Sequence, residues 1–550
     1  MLTTNRLSAA LLLTLTGSLF LSLLFKDSHM WMDEILSYLL LSDPSLAHVN
    51  QAIVSGMDAN PPLFVNSYWL LAQGISLNPF FLKGISIGLF ALTIVWFFRY
   101  ITNLLDHELA SAYNGANQPT VVRTALINTL VITAVVALTY LNYTLSTQIR
   151  TYSLYLLLSW GYVVVLHRLL LHPDRRRWLL AQAIIGTGFL FTHNVALFYL
   201  AGSGTFFGVL WLANWLIKKD PFRYLSVVGI HLLIAAIWLV TWYPSFAIQS
   251  ESGKPHSWIP IPTTDRFFQT IGDLLPTFSA RLEDTYPLLV SIRVLLVVGL
   301  FVWIALPRLR KQGLAALANP AFALYVLSGF LVAFTLLLGL AVSLLHTSVF
   351  LNRYFWPSSL LLLYQLLYAG WLIYGKTRER TWTQRLPHLT PAVQVVGLLL
   401  FMGLTTVFIV VQNSKVPLFS GEIRHDVARL KPDQPVLFES AYYFLPIYFY
   451  HSQQPIYYLL DWPTALDSRN VLESTTDYKI LEGVADNYRL KGLIRPNQFN
   501  ATQFNRFYVV DEASRYQIEA FIARGEVTVH EVIPANVAGH RILDCSFQVR

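Results

Sequence analysis

The chain has 550 residues, of which 55% are hydrophobic and only 13% charged, with a formal net charge of +8. A soluble protein of this length carries about 25% charged residues, so the composition excludes an ordinary water-soluble fold and requires lipid to cover much of the surface. The positive charge sits in short loops between apolar segments, which argues for membrane orientation and against a nucleic-acid partner, and the single cysteine, Cys545, excludes an internal disulfide.

Residues 7–25 form the first apolar stretch, long enough to cross a bilayer. Its length, and the many spans that follow, read as an uncleaved anchor rather than a signal peptide. Immediately after it comes a segment ending in the acidic pair Asp33-Glu34. Further apolar segments recur at about 80–104, 122–141, 150–171, 177–195, 196–217, 223–245, 287–306, 320–345, 352–374 and 390–412. A shorter one, 61–76, follows Pro61-Pro62 and reads as a short, partly embedded helix unless a further crossing pairs with it.

Four loops are strongly basic: Arg175–Arg177; Lys218, Lys219 and Arg223; Arg308, Arg310 and Lys311; and Lys376, Arg378, Arg380 and Arg385. Excess Lys and Arg mark cytosolic loops. The alternation places the amino terminus inside and a first loop of about 26–79 outside. It predicts an odd number of crossings, about 11 to 13. The 105–121 loop, with Asp106 and Glu108, fits this count poorly, since it should be cytosolic and is not basic.

From about Lys415 to Arg550 charges rise and short β-rich runs appear: Pro435–Phe438, Phe507–Asp511 and Glu526–His530, with a helical run at Tyr442–Tyr450. The predicted fold is therefore a polytopic α-helical membrane protein over residues 1–412, followed by an extracytoplasmic α/β domain over 413–550 that is large enough for its own core.

Ionisable groups at membrane depth cost roughly 2.5–3.5 kcal/mol each on insertion scales, so each needs a partner or a function. Under this topology they gather at one level. Asp33 and Glu34 follow the outer end of the first span, and Asp58 precedes Asn60-Pro61-Pro62. Arg150 and Tyr152 open the 150–171 span, His193 lies near the outer end of 177–195, and Arg353 and Tyr354 open 352–374. A guanidinium fork suits a phosphate, and a carboxylate within reach of a hydroxyl can remove its proton. A lipid-phosphate-linked sugar supplies both needs, with no nucleotide. The sequence has no Gly-rich phosphate loop and no cysteine-based metal site. Singly, each residue has a structural reading: snorkelling for the arginines, a core role for His193, a favourable helix start for Asp33, a turn for Asp58. Their convergence at one depth favours a site.

These residues, in this order, resemble the GT-C class of membrane glycosyltransferases, specifically the bacterial family related to protein O-mannosyltransferases and the lipid A aminoarabinose transferase. The motifs are Trp31-Met32-Asp33-Glu34, then Asp58-Ala59-Asn60-Pro61-Pro62-Leu63-Phe64, Gln148-Ile149-Arg150-Thr151-Tyr152, Phe191-Thr192-His193 and Asn352-Arg353-Tyr354 before Trp356-Pro357, spread over roughly residues 1–375. The resemblance implies inverting transfer from a polyprenyl-phosphate monosaccharide, with Asp33 as base and Glu34 and Asp58 in support. It implies short helices at about 33–42 and 45–56. Arg150, Tyr152, His193, Arg353 and Tyr354 would contact the donor's phosphate or sugar. Asn60 and Asn194 depart from the family pattern, at positions where a histidine and an aromatic or lysine often stand. Relatives differ on metal dependence, so no metal ligand or cofactor is assigned and a divalent cation stays open. The acceptor is a lipid, a glycan or a protein. The competing readings are a transporter or flippase, and a polymerase or ligase, of lipid-linked saccharides. A transporter of this kind often carries inverted repeats and charges near the midplane, and the chain shows neither.

Overall fold

A computed structural model describes residues 4–25, 29–112, 143–217, 220, 222–252, 259–276, 287–377, 391–414, 421–450, 454–470, 475–512 and 516–548. Among the described residues, five helical segments are long and apolar enough to cross a membrane: Pro79–Leu105, Tyr152–Leu171, Ala196–Leu216, Leu288–Ala318 and Pro320–Leu345. Shorter apolar helices cover Ala9–Leu24, Leu225–Thr241, Pro357–Ile373 and Met402–Val411. The predicted spans at 7–25, 80–104, 150–171, 196–217, 223–245, 287–306, 320–345, 352–374 and 390–412 all fall on helices in the structure. The predicted 122–141 span lies outside the described residues, as does most of the 105–121 loop.

Helix α1 (Thr4–Phe25) shows how these sequences pack. Thr14, Ser18 and Ser22 recur every fourth residue, which puts them on one buried face. The Thr14 and Ser22 hydroxyls each donate to the carbonyl one turn back, at 2.8 Å, so neither hydroxyl is left unpaired. Ser18 also donates across to Thr406 Oγ1 at 3.1 Å, joining α1 to the Pro391–Ser414 helix.

Two predicted spans are shorter than expected, and both shortenings build the site. The 177–195 segment is a 15-residue helix, Arg176–Leu190. It stops because the Thr192 hydroxyl turns back to Phe189 O (2.6 Å) and Thr192 O accepts from Thr151 Oγ1 (2.8 Å), leaving His193 and Asn194 in a turn. The 352–374 span begins at Pro357, a residue suited to the first helical position, after a 3-10 turn at Asn352–Phe355.

Between α1 and the next span lie three short helices: α2 (Met32–Ser42), α3 (Leu46–Val54) and α4 (Leu63–Gly74). The first two match the pair predicted at 33–42 and 45–56. The third, at 12 residues, reaches about 18 Å and is too short to cross a bilayer. It packs on α2, and its Trp69 Nε1 and Gln73 Nε2 donate to Asp43 O at 2.6 and 3.2 Å. α5 (Pro79–Ala112) follows, and its Ser86 links Tyr68 of α4 (2.8 Å) to Gln148 O (2.7 Å).

The C-terminal region carries a six-stranded sheet in the order β3-β2-β1-β4-β6-β5. Strands β3 (Leu493–Ile494), β2 (Ile456–Leu459), β1 (Val436–Phe438) and β4 (Arg506–Glu512) run parallel; β6 (His540–Phe547) and β5 (Val527–Pro534) are antiparallel additions. All three β-rich runs are strands, and the 442–450 run is a helix, Ala441–Tyr450. The period-two pattern gives each face its own core. Val436, Phe438, Tyr508 and Val510 join the large core that continues into the helical bundle. Leu437, Phe507, Val509 and Leu543 pack with Phe499, Phe504 and Phe521 on the other face.

Two helices of this region clamp the short helices. Ala441–Tyr450 lies along α2, with Trp31 and Tyr442 rings 6.1 Å apart and Tyr38 and Phe449 rings 5.9 Å apart, and Met30 N donates to Tyr450 Oη at 3.0 Å. Thr475–Tyr488 reaches α3, where Asn487 Nδ2 donates to Ser55 Oγ (3.2 Å) and Tyr488 Oη to Asp43 Oδ2 (3.0 Å). Asp43 also accepts from Ser45 N (2.8 Å) and pairs with His48 Nδ1. Burial alone would raise the Asp43 pKa, but these three donors outweigh it and hold the carboxyl below its ordinary value. A carboxylate depressed in the folded state contributes stability above the unfolded pKa and loses it as pH falls through the folded value. The melting-temperature gap between the parent and Asp43→Asn should therefore be largest near neutral pH and shrink below about pH 4. A gap that stays constant down to acid pH contradicts this account of the clamp.

Candidate active site

A cavity of about 1000 Å³ lies where α2, the 58–60 segment, the 148–152 segment, the 193–195 turn and the Asn352–Phe355 turn converge. Of the residues the sequence singled out, Asp33, Asp58, Arg150, Tyr152, His193, Arg353 and Tyr354 all line it. Glu34 does not.

Asp33 and Glu34 are neighbours on the first turn of α2, about 100° apart around the helix, so they cannot face the same way. Asp33 turns to the cavity, with its side chain 20% exposed. Glu34 is buried. Its Oε1 accepts from Ile149 N (2.9 Å) and stands 3.4 Å from Lys83 Nζ on α5, while Oε2 takes a long 3.5 Å bond from Trp31 N. The first helical turn of α2 is thereby pinned to α5 and to the 148–152 segment.

Arg150 is the hub. Its Nη1 stands 3.3 Å from Asp58 Oδ2, 3.2 Å from Ser37 Oγ and 3.3 Å from Asp33 O, and its Nη2 is 3.8 Å from Asp33 Oδ2. One guanidinium thus holds two carboxylates from separate parts of the chain. Asp58 also starts a turn: its Oδ1 accepts from both Asn60 N (2.9 Å) and Asn60 Nδ2 (3.0 Å). The turn expected of Asp58 on structural grounds and its place in the site are therefore both present.

The two departures from the family pattern have structural employment. Asn60 completes the Asp58 turn. Asn194 Nδ2 donates to Ala59 O (2.7 Å) and its Oδ1 accepts from Trp242 Nε1 (3.0 Å), while Leu63 N donates to Phe191 O (3.1 Å). These bonds fasten the 58–63 segment to the turn that carries His193. The imidazole packs against Tyr155 (4.9 Å) and Tyr354 (5.1 Å), and its Nδ1 accepts from Val195 N at 3.2 Å. That bond leaves Nδ1 unprotonated, so the neutral ring carries its hydrogen on Nε2.

Arg353 is set differently from Arg150. Its guanidinium lies over the rings of Tyr354 (5.6 Å) and Trp31 (5.9 Å), the geometry of a cation–π contact. The turn beneath it is fixed by Asn352, already part of the motif, and by Asp273, Tyr155 and Tyr199, which sequence reasoning missed. Asn352 Nδ2 donates to Asp273 Oδ2 (2.9 Å), and Asn352 Oδ1 accepts from Arg353 N (2.7 Å). Tyr155 Oη donates to Tyr354 O and Tyr199 Oη to Phe355 O, each at 3.3 Å. The Asp273 carboxylate ends an amphipathic helix, Thr264–Asp273, well away from the apolar spans on either side, so no sequence signal marks it. Trp31 and Tyr442 were likewise missed as cavity residues.

On the spanning helices the lining is apolar, at Leu197, Phe198 and Val342, and the segments beyond them add Phe246 and Val349 together with the polar Ser250, His346, Thr347 and Ser348. The cavity therefore combines a charged end with an apolar flank. As to metal ligands, Asp33, Asp58 and His193 line the cavity, and the two carboxylates share the single positive charge of Arg150. Elsewhere, Glu439, Asp511 and Glu519 come within reach of a single ion. There Glu439 accepts from Glu512 N (3.2 Å) and Ile518 N (2.8 Å), and Arg541 closes over Asp511 and Glu519, so the cluster is occupied in holding β1, β4 and β6 together.

No protein-family model matches the chain, and no curated protein matches it in sequence. Two solved structures are similar to it along nearly its whole length. One is ArnT from Cupriavidus metallidurans bound to undecaprenyl phosphate, at 11% identity and a TM-score of 0.47, covering 98% of this chain and 97% of that one. The other is the same protein in the apo state, at 11% identity and a TM-score of 0.46, covering 96% of each chain.

The buried Glu34–Lys83 pair makes a direct prediction. Glu34→Gln keeps the shape but leaves Lys83 without this counter-charge, which is expected to destabilise the protein by about 3–5 kcal/mol. Adding Lys83→Met should recover part of that loss. A melting temperature unchanged in Glu34→Gln would show that the pair does not hold α2.

Proposed function

We propose that the protein transfers a monosaccharide from a polyprenyl-phosphate donor to a hydroxyl acceptor, with inversion at the anomeric carbon and Asp33 as general base. The observation that carries this reading is a single cavity in which the Asp33 carboxylate and the Arg353 guanidinium are both presented, beside an apolar flank suited to a lipid chain. In the reaction, the acceptor oxygen attacks the anomeric carbon as Asp33 takes its proton. The carbon–oxygen bond to the phosphate breaks on the opposite side, and the leaving phosphate departs with the electron pair. Arg353, over aromatic rings, is the group for that phosphate. Arg150 is committed to Asp33 and Asp58, and its part is to hold the base in place. Tyr152, His193 and Tyr354 form the wall against which the sugar is oriented.

The membrane placement follows the charge pattern. Basic loops on the cytosolic side put the cavity and the C-terminal sheet at the outer face of a bacterial cytoplasmic membrane. Residues 1–412 are then the membrane transferase domain and 413–550 an extracytoplasmic domain. The sequestration of all cavity charges at one end of the bundle favours an enzyme over a carrier, whose charges would be expected near the midplane.

The reading is tested with purified protein in nanodiscs and a panel of polyprenyl-phosphate sugars offered with lipid, glycan and peptide acceptors. Asp33→Asn, with a parental melting temperature, should transfer sugar roughly 10²–10⁴-fold more slowly. Transfer at the parental rate would remove Asp33 from the chemistry.

A further inference from the structure

Ile259, Asp273 and Leu274 also line the cavity, and they come from outside the spanning helices. Between them runs the Thr264–Asp273 helix, capped at its start where Thr263 Oγ1 accepts from Arg266 N at 3.3 Å. Its last residue, Asp273, puts a carboxylate where the helix dipole is already negative. That is the unfavourable sign for the helix itself, and two side-chain amides compensate it. Oδ1 accepts from Gln269 Nε2 one turn back (3.1 Å), and Oδ2 from Asn352 Nδ2 (2.9 Å) on the turn that carries Arg353.

The Asn352 amide has only one way to lie. A carboxylate accepts and a backbone N–H donates, so Nδ2 faces Asp273 and Oδ1 faces Arg353 N, 2.7 Å away. The position of the carboxylate is thereby passed to the backbone of Arg353. The helix behind it is docked closely. Gly272 O accepts from Arg293 Nη2 at 2.7 Å, and a Cβ on Gly272 would overlap Val290 Cγ1, so only glycine permits this approach to the Pro287–Gln312 helix. Further along, Phe267 stacks on Phe350 at 5.6 Å, with planes 17° apart, and Ser348 Oγ donates to Pro260 O at 2.9 Å. Of these links to the 348–355 stretch, the Asp273–Asn352 bond is the one that ends on Arg353.

Tyr155 and Tyr199 hold the later carbonyls of the turn from the membrane helices, and Asp273 fixes its first residue from the other side. We propose that Asp273 is a positioning residue for donor binding: acting through Asn352, it holds Arg353 where the donor phosphate is received. The Thr264–Asp273 helix is then part of the donor site. This inference rests on the assignment of the phosphate to Arg353 made above. The role has a sign that separates it from simple electrostatics. A negative charge on the cavity wall repels a phosphate, so losing it with Arg353 undisturbed would tighten binding. Losing a positioning residue weakens it.

Titration of full-length protein in nanodiscs with undecaprenyl phosphate, and separately with undecaprenol, reads that sign. Asp273→Ala should raise the Kd for undecaprenyl phosphate about tenfold and leave that for undecaprenol within about twofold. Asp273→Asn, which can keep one of the two amide bonds, should fall between the parent and Asp273→Ala. Gly272→Ala keeps the carboxylate but pushes its helix off Val290, and it should weaken phosphate binding in the same direction. Should Asp273→Ala fail to fold, these two variants carry the comparison. Undecaprenyl phosphate binding that is unchanged or tighter, or a loss shared equally by undecaprenol, overturns the positioning role where Arg353→Gln weakens phosphate binding about tenfold. Parental binding in Arg353→Gln overturns the phosphate assignment, and this inference with it.

Discussion

One guanidinium organises this site. Arg150 meets Asp33 at 3.8 Å and Asp58 at 3.3 Å, and it is itself 8% exposed. Two carboxylates in such surroundings repel each other and lose their hydration, and a shared cation offsets both terms. The consequence is geometric as well as electrostatic. Asp33 belongs to α2 and Asp58 to the turn before α4, so the arginine fixes the relative position of two segments with no backbone bond between them. Glu34 does the same one residue later, about 100° further round the helix, through Lys83 and Ile149 N. The first turn of α2, which carries Asp33, is held by ion pairs on two faces.

This arrangement separates two arginines that look equivalent in sequence. Each precedes an apolar helix and each is followed closely by a tyrosine. Arg150 is held among carboxylates, whereas Arg353 lies over Trp31 and Tyr354. Aromatic rings leave the positive charge of a guanidinium largely intact toward a third partner, and carboxylates do not. In the proposed reaction this difference in surroundings gives the phosphate to Arg353 and the positioning of Asp33 to Arg150.

Much of the fold was legible because its signals are local. Apolar stretches located the spans, the Pro61-Pro62 pair announced the short α4, and the β-branched runs gave β1, β4 and β5. The parts that escaped depend on tertiary pairing. β2 and β3 are short strands completed only by parallel neighbours, and β6 reads as Arg-Ile-Leu-Asp-Cys-Ser, a pattern broken by Asp544, which in the fold pairs with Arg506. The site shows the same division. Charged residues near span ends stood out, because charge is costly there. Asp273, which fixes the Arg353 turn through Asn352, and Tyr442, which arrives from the end of β1, carry no such signal. The early ending at Leu190 and the late start at Pro357 were hidden as well, since hydropathy continues through the turns that present His193 and Arg353.

The central claim is this division of labour between the arginines, and the binding of undecaprenyl phosphate to full-length protein in nanodiscs tests it most directly. Arg353→Gln should weaken the Kd by at least about tenfold, while Arg150→Gln, though impaired in transfer, should bind within about twofold of the parent. Loss of binding in Arg150→Gln with parental binding in Arg353→Gln would contradict the account.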